Sequence, residues 1–217
     1  MVAHRLEPEI YNFRSLAFFS KAVERVGEES YPIHIKLDTG MHRLGFMEGE
    51  LVRLTETLGE TPSVKVATIF SHLNCSDMPQ EDRYTREQIA RFDRMSGRLA
   101  AALPYPVLRH TANSAAIERF PEAQFDMCRL GLGLYGYGYC HNDELEPVAT
   151  LKTRIVQIRR RSAGEAIGYG RSQSLERDSL IATVPIGYAD GLDRHLSGGR
   201  WSMLVAGRRA PIVGRIC

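Results

Sequence analysis

The most constraining feature of the sequence is a repeated alternation of short apolar strands with amphipathic helices, in which each strand runs into polar residues. In the first example, Ile33 to Leu37, apolar side chains alternate with polar ones, and the pattern stops at Gly40. Alternating strands and helices favour a sheet of parallel strands and therefore an α/β fold. Polar residues at the C-terminal ends of such strands are typical of an α/β barrel, whose active site lies at that edge.

Hydrophobic periodicity predicts the elements of this first region. Helices are expected from Asn12 to Gly27, Leu51 to Gly59, Asp82 to Leu103 and Ala115 to Phe120, and further strands from Val64 to Phe70, near Pro106 to Leu108 and within Phe125 to Tyr135. A complete barrel needs eight strands. About four strands are recognisable here, so the sequence predicts only part of a barrel.

The pattern changes after about Glu146. Segments at residues 150–158, 180–186 and 202–213 are rich in β-branched residues, glycine-containing turns separate them, and no helical period is visible. The sequence therefore predicts two domains, an incomplete α/β barrel at residues 1–147 and an incomplete, mostly β domain at residues 148–217.

Composition excludes several classes of function. The chain has 217 residues and a net charge of +2, from 28 basic and 26 acidic residues, which gives no reason to expect a nucleic-acid or membrane partner. It lacks the run of about 20 apolar residues that a membrane helix needs, as well as the apolar stretch of a signal peptide, so a cytoplasmic location is expected. The four cysteines contain no C-x-x-C pair and the histidines show no metal-binding spacing, so neither a disulfide framework nor a metal site is expected.

Several polar residues follow the predicted strands and could form one pocket. His72 and His110 each lie where a strand should end, and a lone histidine there is more often a structural rim residue than a catalyst. Their coincidence with Arg43, Arg129 and Ser114 favours a pocket for a phosphorylated or carboxylated small molecule. The small residues around Ser114 open a short helix whose backbone N–H groups could hold an anion.

Two glycine-containing motifs allow more than one interpretation. The segment Gly131 to Gly136 matches the dinucleotide pattern G-x-G-x-x-G, but no helical period follows it, so a Rossmann site is not expected. Tyr188 lies between glycines after an apolar strand, which is consistent with a turn capped by an aromatic ring. It could also act as a base if nearby cations or hydrogen bonds lowered its pKa from about 10.

Taken in order, these motifs resemble those of bacterial alanine racemase, the fold-type III family that depends on pyridoxal 5′-phosphate (PLP). The matching segments are Lys36-Leu-Asp-Thr-Gly-Met-His-Arg43-Leu-Gly, Ser71-His72, His110-Thr-Ala-Asn113-Ser114-Ala-Ala, Arg129-Leu-Gly131-Leu-Gly-Leu-Tyr135-Gly, Gly168-Tyr169-Gly170-Arg171, Gly187-Tyr188-Ala-Asp-Gly191 and Pro211-Ile-Val-Gly-Arg215. The resemblance covers nearly the whole chain. It implies the later half of a PLP-binding β/α barrel followed by a mostly β C-terminal domain.

The resemblance also implies which residues bind the cofactor. They are Ser114, Asn113, Arg129, Gly131, Leu132 and His110. Ser114 and the backbone N–H groups of Gly131 and Leu132 would hold the phosphate. Arg129, supported by His110, would face the pyridine nitrogen, where an arginine, unlike a carboxylate, does not favour a protonated ring.

For catalysis and substrate binding, the resemblance implies a second set of residues. Tyr188 would exchange the α-proton of L-alanine in an external aldimine, as one base of a two-base mechanism, with His72 near its hydroxyl and Arg129 close by. Arg43 would contact the substrate carboxylate or the phenolic oxygen of the cofactor, oriented by Lys36, which is carbamylated in some members of the family. In the family this tyrosine reaches the site of the opposite subunit, so a homodimer is implied. The product, D-alanine, would supply peptidoglycan synthesis.

Two departures from the family pattern affect the predicted activity. The Schiff-base lysine of the family lies upstream of anything matching Met1 to Leu6, and the family's active-site Met-Asp pair follows the position of Cys217. This chain alone is therefore expected to be catalytically incomplete. The opening segment Leu6-Glu-Pro-Glu-Ile-Tyr also resembles the racemase half of a fusion with a muramoyl-tripeptide ligase.

Other interpretations remain open at this point. The parent protein could racemise serine or several amino acids, or the chain could be a truncated or degenerate racemase domain without catalytic activity. A decarboxylase is less favoured, because the residue matched to the ring nitrogen is Arg129 rather than an acid.

Overall fold

The computed structural model describes residues 1–140 and 142–217, and the chain divides into two compact units. Unit 1 comprises Met1–Ala149 and unit 2 comprises Thr150–Cys217. Each unit is described by itself below.

Unit 1 is built on a four-stranded parallel sheet whose strands follow one another in sequence order. The strands are β1 (Glu9–Ile10), β2 (Tyr31–Lys36), β3 (Val64–Phe70) and β4 (Leu108–His110). The helices are α1 (Phe13–Arg25), α2 (Leu51–Gly59), α3 (Asp82–Ala101) and α4 (Ser114–Arg119). Because all four strands are parallel, their C-terminal ends meet at one edge of the sheet.

The helices form where periodicity and capping predict them. The side-chain Oδ1 of Asn12 accepts a hydrogen bond from the Ser15 N–H at 2.7 Å, and Ser15 Oγ accepts one from the Asn12 N–H at 3.2 Å, which starts α1 with a reciprocal capping box. The buried positions of α1 then recur every three or four residues, at Leu16, Phe19 and Val23. The same spacing buries one face of α2 and of α3 against the sheet.

The segment from Leu37 to Phe46 is a tightly folded loop that follows β2, and both of its end residues belong to the core. Leu37 and Phe46 form a parallel bridge and are almost completely buried. Between them, Asp38 Oδ1 accepts hydrogen bonds from the backbone N–H groups of Gly40 and His42 at 2.9 and 3.1 Å. The end of β2 is therefore fixed by the loop that follows it.

The structure differs from the sequence prediction between Phe125 and Tyr135. That apolar segment contains no strand. It holds a 3₁₀ turn at Leu132–Tyr135, which ends at Gly136 with a positive φ of 82°. The expectation of a β unit here was wrong, because the closely spaced glycines permit a sharp turn and Arg129 points back towards the sheet instead of continuing an extended chain. The two-residue strand β1 was too short to be recognised by alternation.

Unit 2 consists of three antiparallel two-stranded pairs, and no α-helix occurs among its residues. The strands are β5 (Gln157–Arg161), β6 (Ala166–Ile167), β7 (Gln173–Ser174), β8 (Ser179–Thr183), β9 (Ser202–Val205) and β10 (Arg208–Pro211), which pair as β5 with β8, β6 with β7 and β9 with β10. The predicted strand at residues 150–158 begins only at Gln157. In the described part of the chain, none of the helices combines the length and apolar character required to traverse a bilayer.

We expect the loop after β2 to be intolerant of a side chain at Gly45. This residue has a φ of +128°, and an added Cβ would lie 2.5 Å from the backbone nitrogen of Asp38. Gly45→Ala should therefore lower the free energy of unfolding by about 3 kcal/mol through backbone strain and steric clash. Urea denaturation followed by circular dichroism measures the change.

Gly49→Ala is the matched control, because no atom lies within 4 Å of an added Cβ at that position and its φ is not positive. Equal unfolding midpoints for the two variants would contradict the assigned role of Gly45.

Candidate active site

The candidate site lies at the C-terminal edge of the parallel sheet. Lys36 is the last residue of β2, and His110 is the last residue of β4. Strand β3 ends at Phe70, directly before Ser71 and His72. Because neighbouring strands end together, residues far apart in sequence converge at this edge, as the strand-end pattern predicts.

Arg129 connects the ends of β3 and β4. Its Nη1 donates a hydrogen bond to His110 Nδ1 at 2.6 Å, and its Nη2 donates to the backbone carbonyl of Ser71 at 2.7 Å and to His72 Nδ1 at 3.2 Å. The backbone N–H of Arg129 donates to the carbonyl of Ala112 at 3.0 Å. The guanidinium group is therefore held between two histidine rings.

Both histidines are neutral at pH 7. Burial, together with the positive charge of Arg129, lowers the pKa of His110 to about 4. Burial also lowers the pKa of His72, and the charge of Arg129 adds to the effect. Burial lowers the pKa of Arg129 itself from its usual value. Because an arginine remains charged even after such a decrease, the centre of the site is a partly buried cation flanked by two neutral imidazoles.

A second cluster combines a hydroxyl group with backbone donors. Ser114 Oγ accepts hydrogen bonds from the N–H groups of Gly131 and Gly133 at 2.9 and 3.1 Å. Asn113 lies beside it and caps α4, since its Oδ1 accepts from the Ala116 N–H at 3.0 Å. The described contacts bring Gly131 and Gly133, and not Leu132, to the Ser114 hydroxyl.

Lys36 and Arg43 add positive charge on the β2 side of the site. The buried Lys36 Nζ lies 2.9 Å from Glu9 Oε1 and 5.4 Å from the centroid of the Phe70 ring. Arg43 is exposed in the loop after β2, and its charge contributes to lowering the pKa of His72. Lys36, which is held in an ion pair, and Arg43, which is exposed to solvent, therefore both add positive charge near Arg129.

Tyr188 belongs to unit 2, whereas the other predicted site residues belong to unit 1. It begins a 3₁₀ turn at Tyr188–Asp190, its side chain is 57% exposed, and the Arg194 guanidinium carbon lies 5.5 Å from its ring centroid. The Gly187 N–H donates to Asp190 Oδ2 at 2.9 Å, which fixes the turn. The tyrosine is presented to solvent on a structured turn.

Sequence reasoning missed three residues that contact the predicted site. Glu9 forms an ion pair with Lys36, and the Gly133 N–H donates to Ser114 Oγ. Thr68 Oγ1 is hydrogen-bonded to His110 Nε2 at 3.0 Å. A signal for Thr68 was available, because a polar residue inside an apolar strand requires a partner. Gly133 lies in the G-x-G-x-x-G motif, although it was not assigned to the phosphate. Glu9 offered no comparable signal, since its contact depends on strand pairing.

The chain is similar to known proteins over most of its length. The family model described as alanine racemase, N-terminal domain, matches residues 1–138, and the one described as alanine racemase, C-terminal domain, matches residues 148–217. An alanine racemase from Sorangium cellulosum is 37% identical over 218 residues, which cover 100% of this chain and 57% of that protein. The chain thus spans little more than half the length of this relative.

Two solved structures are similar at the level of the backbone. The alanine racemase from D-cycloserine producing Streptomyces lavendulae has a TM-score of 0.85 at 29% identity, with 96% of this chain and 56% of that chain covered. The alanine racemase from Bartonella henselae, solved with covalently bound pyridoxal phosphate, has a TM-score of 0.77 at 28% identity, with 99% and 58% covered. These matches confirm the predicted fold class, a partial β/α barrel followed by a mostly β domain.

We expect protonation of His110 to destabilise the fold. The pKa of His110 is about 4 in the folded protein and near 6.5 when the chain is unfolded. The unfolded state therefore binds a proton that the folded state does not, so stability is retained above pH 6.5 and is lost as the pH falls towards 4. Thermal unfolding across this range measures the loss.

His110→Asn should show a smaller decrease in midpoint over the same pH range, because the titrating group is absent. An identical pH dependence in the wild type and the variant would contradict the assignment.

We also expect Lys36 to remain an ammonium group. Carbamylation would replace the cation 2.9 Å from Glu9 Oε1 with an anion, which exchanges attraction for repulsion. Carbon-13 NMR of protein equilibrated with labelled bicarbonate should show no carbamate on Lys36. The Glu9→Gln variant removes the opposing carboxylate and is the protein in which that signal is expected. A carbamate on Lys36 of the wild type would disprove the expectation.

Proposed function

The chain belongs to the alanine racemase family, and we propose that the complete protein interconverts L-alanine and D-alanine with pyridoxal 5′-phosphate as its cofactor. The observation that carries the proposal is the partly buried guanidinium of Arg129, held between the neutral rings of His72 and His110. Arg129 lies at the same edge of the sheet as Ser114, whose hydroxyl group accepts hydrogen bonds from two backbone N–H groups. A planar cofactor with a phosphate at one end and a basic ring nitrogen at the other would engage both features.

The residues of this chain fit the non-covalent contacts of such a cofactor. Ser114 Oγ and the N–H groups of Gly131 and Gly133 already converge within hydrogen-bond distance, which is the donor set that a phosphate requires. Arg129 supplies a donor for the ring nitrogen. The relative from Bartonella henselae carries covalently bound pyridoxal phosphate. Covalent attachment would need a lysine outside the predicted set, because Lys36 is engaged with Glu9.

Arg129 determines how the bound cofactor would behave. When bound, pyridoxal phosphate withdraws electrons from the substrate and acidifies its α-hydrogen. The guanidinium can donate a hydrogen bond to the ring nitrogen but would not release a proton to it, because arginine is not deprotonated in proteins. Arg129 would therefore leave the ring nitrogen unprotonated. Such a contact would restrain electron withdrawal into the ring and favour proton exchange over side reactions.

His72 is arranged to assist a base. Because Arg129 donates to His72 Nδ1, the imidazole proton is on Nε2. That N–H can donate to the oxygen of a phenol and stabilise its ionised form. We assign the phenol to Tyr188, which would move the α-proton on one face of the substrate. Arg43 would hold the substrate carboxylate, with Lys36 completing the positive charge on that side.

The exposure of Tyr188 supports a dimeric enzyme. Its ring is presented to solvent on a fixed turn of unit 2, as expected for a residue that completes the site of a second copy. We therefore propose a homodimer with shared active sites, formed from a PLP-binding barrel at residues 1–147 and a C-terminal β domain at residues 148–217. The proposed role is to supply D-alanine for peptidoglycan. The four free cysteines support a cytoplasmic location.

The first prediction of the proposal concerns Tyr188. In a version of the protein extended at both ends to the length of its relatives, Tyr188→Phe should retain the absorbance of bound pyridoxal phosphate. Its rate of D-alanine formation from L-alanine should fall by about 10²–10⁴-fold, because a general base is lost while the phosphate and ring contacts remain. Tyr139→Phe, which changes an exposed phenol outside the assigned site, is the matched control.

The extended wild type must bind pyridoxal phosphate and form D-alanine for the proposal to stand. Faster turnover of L-serine than of L-alanine would change the assigned substrate. Absence of both cofactor binding and racemisation would refute the function and leave the domain as a structural element.

A further inference from the structure

A continuous series of hydrogen bonds extends from Arg129 across β4, β3 and β2 to Glu7, which precedes β1. We call this series the histidine relay, and its members are Arg129, His110, Thr68, His34 and Glu7. Its remaining links join His110 Nε2 to Thr68 Oγ1 at 3.0 Å, Thr68 Oγ1 to His34 Nδ1 at 2.8 Å, and His34 Nε2 to Glu7 Oε2 at 2.8 Å. The site residues assigned above do not include Thr68, His34 or Glu7.

Arg129 fixes the direction of the first links. A guanidinium group has only donors, so His110 Nδ1 must accept the hydrogen bond from Arg129. The imidazole of His110 is neutral, and its single proton is therefore on Nε2. This N–H points at Thr68 Oγ1, which must accept it.

The same reasoning gives the donor and the acceptor of each remaining hydrogen bond in the relay. Once Thr68 Oγ1 has accepted from His110, its hydroxyl proton is available for His34 Nδ1. His34 then carries its own proton on Nε2 and donates it to the carboxylate of Glu7. Every donor in the relay meets an acceptor, and the sequence ends at an anion. Reversing the His110 tautomer would place two N–H groups against each other across the 2.6 Å contact with Arg129.

The sheet holds the members of the relay in place. His34 and Thr68 are register partners on β2 and β3, so their side chains project together from neighbouring strands. Thr68 and His110 are almost completely buried, where an unpaired donor would be costly. The His110 ring also stacks on Phe70 with centroids 5.1 Å apart and an angle of 4° between the planes. The ring therefore has little freedom to change its hydrogen-bonding pattern.

We propose that Thr68 and His34 are positioning residues that act through His110 to hold the Arg129 guanidinium, with Glu7 as the terminal acceptor. The consequence for catalysis rests on the proposed function, in which Arg129 faces the cofactor ring nitrogen. Loss of the Thr68 hydroxyl removes the acceptor for His110 Nε2–H and leaves a buried donor unpaired, which favours displacement of the His110 ring from its contact with Arg129. The guanidinium then loses one of its fixed partners.

The most direct test is the tautomer of His110. Nitrogen-15 NMR of histidine-labelled, extended protein should show a protonated Nε2 and an unprotonated Nδ1 in the wild type. Thr68→Ser retains the hydroxyl group and should give the same spectrum, whereas in Thr68→Val the resonance of His110 Nε2–H should move to the position of an N–H without a hydrogen bond. A wild-type His110 protonated on Nδ1 would overturn the proposal.

Kinetics provide a second readout. Thr68→Val should lower kcat about 10-fold with little change in KM for alanine, because a misplaced catalytic group slows the reaction more than it weakens binding. Thr68→Ser should restore most of the rate. Thr57→Val is the matched control, since the Thr57 hydroxyl bonds only to the Arg53 carbonyl of its own helix. Equal kcat values for Thr68→Val and Thr57→Val would contradict the role of the relay.

His34→Leu offers a second variant if Thr68→Val does not fold, because the His34 side chain is partly exposed and its replacement preserves volume. It should lower kcat in the same direction by a smaller factor, and a wild-type rate would count against the proposal. The NMR result is independent of activity. A protein that shows the predicted tautomers but no racemisation would refute the proposed function and support the relay.

Discussion

The arrangement of the site depends on the hydrogen bonds of one partly buried guanidinium group, that of Arg129. A cation that is largely removed from water is stable only if its donors meet acceptors, and the partly buried Arg129 finds them in the Ser71 carbonyl and in the Nδ1 atoms of two histidines. Those contacts require the ends of β3 and β4 to lie side by side. They also require both imidazoles to be neutral, which the lowered pKa values of His72 and His110 provide. The position of the Arg129 charge, the tautomers of the two histidines and the alignment of the two strand ends therefore depend on one another.

Around this centre, the edge of the parallel sheet carries positive charge on lysine and arginine side chains, whereas its histidines are neutral. Lys36 and Arg43 come from the end of β2, while the histidines at the ends of β3 and β4 act as hydrogen-bond partners rather than as cations. Glu9 balances Lys36 from the neighbouring strand. The result is an edge suited to an anionic small molecule with a hydrogen-bond acceptor in its ring, and the donors around Ser114 provide a separate place for a phosphate.

Much of this organisation follows from local patterns in the sequence. Helix α1 is predictable because Asn12 caps it and apolar residues repeat along one face, and His72 and His110 are predictable because parallel strands end in polar residues. The segment from Phe125 to Tyr135 was predicted incorrectly, since its apolar composition resembles a strand while its glycines permit a turn. Thr68 and Glu9 acquire their roles through register between strands, which periodicity within one strand does not determine. The contact of Gly133 with Ser114 depends on the same turn that the prediction missed.

The central claim is that Arg129 faces the ring nitrogen of pyridoxal phosphate as a hydrogen-bond donor. Nitrogen-15 NMR of the extended protein loaded with cofactor labelled at the ring nitrogen tests it most directly. We predict the resonance of an unprotonated, hydrogen-bonded pyridine that stays constant across neutral pH. A resonance typical of a protonated pyridinium would contradict the account, because a guanidinium held by His72, His110 and Ser71 has no acceptor to offer such a proton.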